Sequence, residues 1–508
     1  MTSNVTGYHQ STASLIIPVN TEEVQALVRT ARASGQKLYP ISTGLNWGYG
    51  SRSPVTEDNI LVDLSRLNRI LNADEISVDN PVAVIEPGVT QRQLYDFLQA
   101  NCPELTFNVT GAGGATSILG NALDRGVGYF GPRKDDVFGL ELVTGAGEIL
   151  QTGFRRLGEP SPLAHSHPFG LGPMLDGIFF QSNFGIVTSA CFRLLPRRPV
   201  EVAVSMALRK PENLAEFIDE LARLKRDGLL TSVTHIGNRP RTHTTLMCGI
   251  TRYLERHGLT AAAAAGEAEQ VLGIVAPNAW TGLAAVTGNR GQVSSAIREI
   301  RARIGSYAAI RIVTERRLDI GATLLRPFNF LPAARAQAAA IDAVRPLHSL
   351  ALGVPTDVAI DNLLWKFGSP GQQPTALDQS RCGLLFINPA LPADGRRVAA
   401  LVRDLEAIGD RFRHHLYMTI NIETTTSLVA IINLLFERDQ PEQVERAHRC
   451  ADGLYACIRE HGLEVYRARA DMMHQVIEDN AYWRTIRHLK DVFDPDNVIA
   501  PGRYNLPL

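Results

Sequence analysis

The sequence predicts an α+β protein with an α/β-type N-terminal part followed by a second α+β part. Residues 14–200 alternate short β-rich runs with amphipathic segments, a pattern typical of strands and helices in turn. From about residue 200 to 455 the helical segments are longer and separate strand-like runs. The charged, proline-bracketed segment 196–201 lies where the pattern changes, so we interpret it as a domain boundary. The length of 508 residues suits two or three domains.

The N-terminal part carries clear start and turn signals. Thr21 and Thr90 each precede an amphipathic run and predict the starts of two helices. In VFGLELVTGAGEILQTG, the glycines within residues 144–147 permit positive φ and predict a hairpin. Residues 177–195 predict a further strand-rich stretch, broken by Asn183 and Gly185. Four short apolar runs predict the earlier strands: SLIIP, KLYPIS, NILVDLS and AVIEPG.

The second part is built from long helices and strands. The predicted helices are ENLAEFIDELARLKR, LTAAAAAGEAEQVLGIV and LPAARAQAAAIDAVRPL. The predicted strands are VTHIG, AAIRIVTER, RCGLLFINPAL and HLYMTINIETTTSLVAIINLLF. Polyalanine at 261–265 is interpreted as helix, because Leu259 and Val271 bracket it at helical spacing. The last fifty residues predict one more helix, TIRHLKDVFD, before a tail rich in proline and glycine.

Composition makes several classes of protein improbable. A formal net charge of -1 supplies no field for nucleic acid or an anionic membrane. No run reaches the roughly 18 apolar residues of a membrane helix, and the N-terminus lacks a signal-peptide pattern, so we expect a cytoplasmic protein. The six cysteines form no CxxC pair and predict reduced thiols. No metal site is expected, because His414 and His415 would point to opposite faces of a strand.

Two loops are rich in small residues, one at 40–50 that follows a predicted strand and one at 109–121. Small residues let consecutive backbone N–H groups converge on an anion, which a larger side chain would obstruct. Neither loop has the spacing G-x-G-x-x-G or G-x-x-x-x-G-K-[ST], so the Rossmann and P-loop interpretations fail. A plain glycine-rich turn remains the alternative for either loop taken alone.

Several motifs in this order resemble the vanillyl-alcohol oxidase and p-cresol methylhydroxylase family of flavoproteins. They are PISTGLNWGYG, VIEPGVT, TSILGNALDRGVGY, GPMLDGIFFQSNFGIVT, EVYR and DPDNVIAPGR. The resemblance is strong over residues 14–200 and 455–505 and weak between them. It implies an FAD-binding domain of two α/β subdomains at 1–198, a substrate domain at 199–455 whose antiparallel sheet covers the flavin, and a segment 456–508 that returns to the FAD domain.

The same resemblance implies which residues hold FAD. The first loop would cradle the pyrophosphate with its backbone amides, which agrees with the many N–H donors and small side chains that a dianion requires. The residues implied there are Ser42, Thr43, Gly44, Leu45 and Asn46, with Trp47 beside them. The residues implied for the rest of the cofactor are Gly111, Ser117, Gly120, Asn121, Gly185, Ile186, Val187 and Arg503.

Three further motif positions imply a phenolic substrate. Phenol-oxidising members of the family bind the phenolic oxygen with two tyrosines and an arginine, which correspond to Tyr49, Tyr466 and Arg467. Ionising a phenol of pKa about 10 near pH 7 requires roughly 4 kcal/mol, which an arginine and two hydroxyl donors in a dry pocket can supply. The alternatives are packing aromatics and, for Arg467, a structural ion pair with Glu464 or another carboxylate.

The sequence departs from the family at the positions used for covalent flavin attachment. Relatives bond FAD through a His or Tyr before a strand ending in proline, and the corresponding strand RCGLLFINP has no such nucleophile around Cys382. Some relatives use a His in the first loop, where Leu45 and Asn46 stand here. We therefore expect dissociable FAD. The Asp that family oxidases place near the flavin is replaced by Ala112 or Gly113.

Two more segments are candidates for the catalytic region. In LYMTINIET, Tyr417, Thr419 and Asn421 share one face of a strand, and Tyr417 is the predicted catalytic residue. The charged turn at 133–136 could reach the site, although such a turn is usually solvated surface.

The sequence thus predicts an FAD-dependent oxidoreductase that takes a hydride from a para-substituted phenol through a quinone-methide-like intermediate. One alternative is the same fold acting on a non-phenolic alcohol, hydroxy acid or specialised metabolite, with Arg467 binding a carboxylate. Another is a flavin-binding electron-transfer subunit without its own turnover. A homodimer is expected from the resemblance, with dioxygen or a protein as electron acceptor.

Overall fold

The computed structural model describes residues 4–158 and 160–505, so the outermost residues of the predicted ranges 1–198 and 456–508 lie outside the described residues. Its strands form sheets of three, four and nine strands and one two-stranded ribbon. The strands are β1 Thr12–Ile16, β2 Leu38–Ile41, β3 Asn59–Asp63, β4 Val82–Ile85, β5 Leu105–Thr106, β6 Val137–Thr144, β7 Ile149–Gln151, β8 Gly185–Arg193, β9 Leu195–Pro196, β10 Val200–Leu208, β11 Thr234–Asn238, β12 Trp280–Gly288, β13 Ala308–Val313, β14 Cys382–Phe386, β15 Asn388–Pro392, β16 Tyr417–Ile422, β17 Ser427–Glu437 and β18 Glu464–Arg467.

Helices pack on these sheets throughout the described residues. They are α1 Thr21–Ser34, α2 Gln91–Asn101, α3 Ile118–Leu123, α4 Leu214–Arg226, α5 Arg239–Arg256, α6 Ala261–Val275, α7 Arg290–Ile304, α8 Glu315–Leu325, α9 Pro332–Ala351, α10 Val358–Lys366, α11 Gly395–Arg411, α12 Pro441–Glu460, α13 Met473–Val476 and α14 Ala481–Phe493. Within the described ranges, no helix is both long and apolar enough to cross a bilayer.

The N-terminal part contains the two smaller sheets. In the first, β1 and β2 flank β3 and run parallel to it. In the second, β8 lies between β4 and β6 and runs antiparallel to both, and β7 closes the edge beside β6. The predicted hairpin at 144–147 is confirmed, with Gly147 at φ 82°. The mixture of parallel and antiparallel strands with helices is the predicted α+β class.

The second part is organised around the nine-stranded sheet. Its strand order is β13-β10-β12-β11-β16-β17-β15-β18, and β14 pairs with β17. Every pairing in it is antiparallel. Apolar residues of α4, α7, α11 and α12 pack on one face of this sheet and form the largest core of the described residues. The other face is therefore available to line a site.

Local sequence signals place most element boundaries. Thr90 caps α2 as predicted, because its side chain accepts a hydrogen bond from Gln93 N. For α1 the capping residue is Asn20, one position before the predicted Thr21, because its side-chain oxygen reaches the N–H of Glu23. The stretch 177–195 is a strand only from Gly185 onward, and a short 3₁₀ turn precedes it.

The C-terminal segment divides between the two parts. Strand β18 pairs with β15 at the edge of the large sheet. Beyond α14 the chain returns to the N-terminal part, where Leu38 N donates to Val498 O at 2.8 Å and Ala500 N donates to Leu38 O at 2.7 Å. The buried Lys490 ammonium ties this tail to Asp494. Strand β18 also contacts the N-terminal part, since Gln181 Nε2 donates to Tyr466 O at 3.0 Å.

Candidate active site

A cavity of about 450 Å³ lies between loops of the N-terminal part and the large sheet. Its wall includes every residue predicted to contact the cofactor: Ser42, Thr43, Gly44, Leu45, Asn46, Trp47, Gly111, Ser117, Gly120, Asn121, Gly185, Ile186, Val187 and Arg503. Three of the four predicted catalytic residues also line it, namely Tyr49, Tyr466 and Arg467. Segments far apart in sequence therefore meet around one cavity.

The loop after β2 presents unused backbone donors to this cavity. None of the N–H groups from Thr43 to Trp47 donates a hydrogen bond to a described residue. Gly44 adopts φ 70°, a left-handed conformation that glycine takes without strain. Free backbone donors in a loop of small residues suit a phosphate or pyrophosphate.

The second loop is in direct contact with the first. Ser117 N donates to Thr43 Oγ1 at 3.2 Å, and Ser117 Oγ donates to Pro87 O at 2.6 Å. A Cβ on Gly120 would lie only 2.2 Å from Ser42 Oγ, so a larger residue there would force Ser42 to shift where the helix meets the loop. The two predicted loops thus form one continuous part of the cavity wall.

Buried polar atoms without partners show what the cavity is built to accept. Four of them belong to residues of its wall: Trp47 Nε1, Arg503 Nη1, His235 Nε2 and Asn433 Oδ1. A buried polar atom without a hydrogen bond costs free energy, about 1–3 kcal/mol, so such atoms together call for a polar ligand. Together with the free N–H groups of the first loop, they fit an FAD molecule with its pyrophosphate near residues 43–47.

One region of the wall, the tyrosine cluster, consists of Tyr49, Tyr466, Arg467 and Asp124. The Tyr49 ring stacks on Phe386 with centroids 5.0 Å apart, and its hydroxyl accepts a hydrogen bond from the Asn388 amide. Burial raises the pKa of both Tyr49 and Tyr466, and the nearby Tyr466 hydroxyl raises the pKa of Tyr49 further. Both phenols therefore stay protonated at neutral pH and can donate to an anionic oxygen.

Arg467 is held by an ion pair inside the tyrosine cluster. Its Nε donates to Asp124 Oδ2 at 2.7 Å, and its guanidinium carbon lies 4.0 Å from the centre of the Tyr49 ring. Burial is the largest influence on the pKa of Arg467 and lowers it, but Asp124 and the neighbouring tyrosines together outweigh burial and raise the pKa. Arg503 also approaches Asp124, at 3.5 Å. The ion pair foreseen for Arg467 is thus present, with Asp124 as partner, while Glu464 pairs with Arg459.

A second region of the wall, the Arg241 cluster, consists of Arg241, Tyr129, His235 and Asn421. His235 Nδ1 and Asn421 Oδ1 are 2.8 Å apart, and the His235 ring lies 4.3 Å from the Tyr129 ring. Burial lowers the pKa of His235 to about 4 and raises that of Tyr129 to about 12, so both are neutral at pH 7. Arg241 is therefore the charged group of this cluster.

Tyr417 does not reach the cavity, so the structure gives no support to its predicted catalytic role. The cavity wall on β16 is formed by Thr419 and Asn421, two and four positions further along the same face. The Tyr417 ring instead lies 5.9 Å from Lys366 Nζ. Thr419 and Asn421 share the predicted face of β16 with Tyr417, but only the C-terminal half of this strand borders the cavity.

The charged turn at 133–136 divides into buried and exposed residues. Arg133 is fully buried and donates to Asn108 O at 2.8 Å and to Gln91 Oε1 at 3.0 Å, which braces the second loop from behind. Asp136 is also buried, whereas Lys134 and Asp135 form an exposed ion pair. The usual interpretation as solvated surface therefore applies to half of this turn.

Family oxidases carry an Asp near Ala112 or Gly113, and in this protein the carboxylate of Asp357, from another element, lies beside that position. Asp357 Oδ1, just before α10, accepts a hydrogen bond from Gly114 N at 2.6 Å. The same oxygen lies 2.9 Å from where a Cβ of Gly113 would be. Ala112 lines the cavity and Asp357 does not, so the acid fixes the loop from outside.

The strand predicted to lack a flavin nucleophile presents apolar residues to the cavity. Leu384 and Phe386 of β14 line it. Cys382 is fully buried outside the wall, and burial raises the pKa of its thiol well above the ordinary value.

Sequence reasoning missed Asp124, Arg241 and His235. Asp124 and Arg467 are 343 positions apart, and His235 and Asn421 are 186 apart. Arg241 belongs to the run RTHTT at 241–245, which is outside the motifs that carry the family resemblance. Among the described residues no three His, Cys, Asp or Glu side chains come together as metal ligands. The one signal that could have pointed to His235 and Arg241 is that both are polar residues beside the turn between β11 and α5.

Comparisons with known proteins agree with this geometry. A family model described as an FAD binding domain matches residues 12–153. The chain is 30% identical to 1'-carboxy-chondrochloren decarboxylase of Chondromyces crocatus, over 97% of this chain and 90% of that protein. It is 26% identical to the 4-cresol dehydrogenase [hydroxylating] flavoprotein subunit of Pseudomonas putida, over 98% and 88%. The solved 4-ethylphenol oxidase from Gulosibacter chungangensis superimposes with a TM-score of 0.80 at 24% identity, over 97% of this chain and 89% of that one.

Proposed function

The chain belongs to the p-cresol methylhydroxylase type of FAD-dependent oxidoreductases, and from that premise we propose that it removes a hydride from the para-alkyl carbon of a substituted phenol. FAD is its cofactor and would supply, when bound, the acceptor for one hydride, that is, for two electrons and a proton. The residues that would hold FAD are those of the two loops, with the free N–H groups from Thr43 to Trp47 directed at the pyrophosphate.

The tyrosine cluster binds and ionises the substrate. Tyr49 and Tyr466 remain protonated and donate to the phenolic oxygen, while Arg467 places positive charge beside it. Because Asp124 already pairs with Arg467, the two hydroxyls make the larger contribution and Arg467 chiefly orients the Tyr49 ring. A phenolate pushes electron density to the para carbon, so the benzylic C–H bond breaks to leave a quinone methide.

The observation that carries this proposal is the meeting of Tyr49, Tyr466 and Arg467 in the wall of the cavity that also contains the cofactor loops. The test is an anaerobic titration of the holoenzyme with 4-ethylphenol and, separately, with a 2-hydroxy acid. We expect 4-ethylphenol to bleach the flavin absorption. Bleaching by the hydroxy acid alone would favour a non-phenolic substrate, and bleaching by neither would favour an electron-transfer subunit.

A second candidate function is oxidative decarboxylation of a 4-hydroxyphenyl acid. It is favoured by the relative of 30% identity that is named a decarboxylase of a carboxylated compound. After hydride and the phenolic proton leave 3-(4-hydroxyphenyl)propanoate, the quinone methide can break its C–COO⁻ bond. That electron pair forms the alkene, the ring becomes aromatic again as phenolate, and CO₂ leaves. Labelled CO₂ from a ¹³C-carboxyl substrate would identify this route.

We also propose that FAD is bound without a covalent bond, since β14 presents only apolar side chains to the cavity. Acid precipitation should leave a colourless pellet and a yellow supernatant. The division into 1–198, 199–455 and 456–508, a homodimer, a cytoplasmic location and a protein electron acceptor remain proposals from the family resemblance.

A further inference from the structure

We propose that the Arg241 cluster is a second anion site of the cavity and binds a carboxylate carried by the para side chain of the phenol. The proposal rests on the proposed function, because it names the class of phenol that the site takes. The substrate would then be bound at two points, with its phenolic oxygen at the tyrosine cluster and its carboxylate at Arg241.

Arg241 reaches the cavity from the first turn of α5. Its backbone N–H donates to Asn238 Oδ1, the cap of that helix, at 3.0 Å. Its Cγ lies 3.6 Å from where a Cβ of Gly237 would be, so its stem lies over β11. Gly237 and His235 share one face of that strand, and His235 and Arg241 both line the cavity.

The guanidinium of Arg241 has no partner among the described residues: it donates no hydrogen bond and forms no ion pair with any of them. Burial lowers its pKa, and the neighbour that opposes this is the Tyr129 hydroxyl. The other groups of the cluster, Tyr129 and His235, are neutral at pH 7. A partly buried cation without a counter-ion costs free energy that a bound anion would recover.

The contrast with the other arginines of the wall supports this assignment. Arg467 and Arg503 both approach Asp124, which is the acidic residue of the cavity wall. Arg241 has no such carboxylate, so the ligand must supply one. Guanidinium matches carboxylate by two parallel hydrogen bonds, and the Tyr129 hydroxyl beside it can donate a third.

The test compares two phenols of similar shape, 3-(4-hydroxyphenyl)propanoate and 4-propylphenol. Their dissociation constants for the anaerobic holoenzyme are measured by calorimetry, with Arg241→Gln, Arg241→Lys and the wild type. Arg239→Gln is the matched control, because Arg239 is exposed on the same helix and the net charge changes equally. All variants are first shown to retain FAD and the wild-type melting temperature.

We expect the wild type to prefer the acid, and Arg241→Gln to weaken binding of the acid about 10- to 100-fold, the range typical of a charged hydrogen bond. Binding of 4-propylphenol should stay within about twofold, and Arg241→Lys should restore part of the affinity for the acid. Equal binding of the acid by wild type and Arg241→Gln would overturn the proposal.

A failure of the proposed function gives a different result. If the wild type binds neither phenol, 3-phenylpropanoate is titrated instead. Weaker binding of that acid by Arg241→Gln would keep the anion site and reject the phenolic substrate. No effect of Arg241→Gln on any of the three ligands would reject both.

Discussion

Arg467 and Arg241 lie in the wall of one cavity and differ in what surrounds them. Arg467 is clamped by Asp124 and Asn46, with the Tyr49 ring beneath it, whereas Arg241 touches neutral groups. A guanidinium held by a buried carboxylate is fixed in place and partly neutralised. One left without a carboxylate keeps its charge for a ligand. The difference teaches that the family resemblance points to the motif arginine, Arg467, whereas the arginine without a counter-ion is Arg241.

The largest effect is expected from Asp124→Asn, which removes the carboxylate that holds Arg467 in place. Two buried guanidinium groups, Arg467 and Arg503, would then lose their counter-ion, which costs about 3–5 kcal/mol of the free energy of unfolding. The melting temperature of the apoprotein should fall by several degrees. Asp74→Asn, at an exposed position, is the control and should leave it unchanged. An unaltered melting temperature for Asp124→Asn would mean that Arg467 is not clamped.

A second substitution, Tyr466→Phe, tests the tyrosine cluster separately from the Arg241 cluster, because the two clusters should bind different groups of the substrate. Tyr466→Phe removes one donor to the phenolic oxygen and should slow anaerobic flavin reduction about 10- to 100-fold, since a hydrogen bond to a charged oxygen is lost. The loss should be equal for 4-propylphenol and for the hydroxyphenyl acid, unlike that of Arg241→Gln. Tyr482→Phe, whose side chain is 63% exposed, is the control. A loss confined to the acid would place the phenol elsewhere.

The comparison assumes that FAD occupies the loops beside both clusters, and Gly120→Ala tests that assumption. Its new Cβ would lie 2.2 Å from Ser42 Oγ and force the two loops apart, at a cost of about 1–3 kcal/mol. The affinity for FAD, measured by fluorescence titration of the apoprotein, should fall about tenfold or more. Gly266→Ala lies in α6 with no atom within 4 Å of its Cβ and should change nothing. Undiminished affinity would locate the cofactor elsewhere.

The smallest expected effect concerns Glu423, which follows β16 and raises the pKa of Tyr466. Burial raises the pKa of Glu423 from 4.5 to about 7. A raised pKa means that the folded state binds the proton more tightly, so this contribution to stability is present below pH 4.5 and lost as the pH rises through about 7.

Glu423→Gln should therefore stabilise the protein at pH 8 relative to the wild type, by about 1 kcal/mol after solvent screening. The gain should disappear at pH 4, where the wild-type carboxyl is protonated in both states. Melting temperatures at both pH values provide the measurement, with the exposed Glu57→Gln as control. A gain of equal size at both pH values would show that ionisation of Glu423 is not its cause.

Much of the cofactor site was predictable because its signals are local. Small residues at 42–50 follow β2 directly and small residues recur at 109–121, and a backbone that must approach a phosphate needs small residues whatever the rest of the fold does. Thr90 likewise caps its helix through an atom three residues away. The prediction for Tyr417 finds no support in the cavity wall, because alternation along a strand gives the face of a residue but not which part of that face borders a cavity.

The sequence by itself determined the fold class, the family and the cofactor, and it singled out the loops proposed to hold FAD, because these depend on residue type and short spacing. Only the tertiary structure decided which charges compensate one another. Asp124 reaches Arg467 across 343 positions, and Arg241 is left unpaired because no carboxylate of the described residues is brought beside it. Electrostatic interactions depend on distance in space and on burial, and neither quantity can be read from the order of residues.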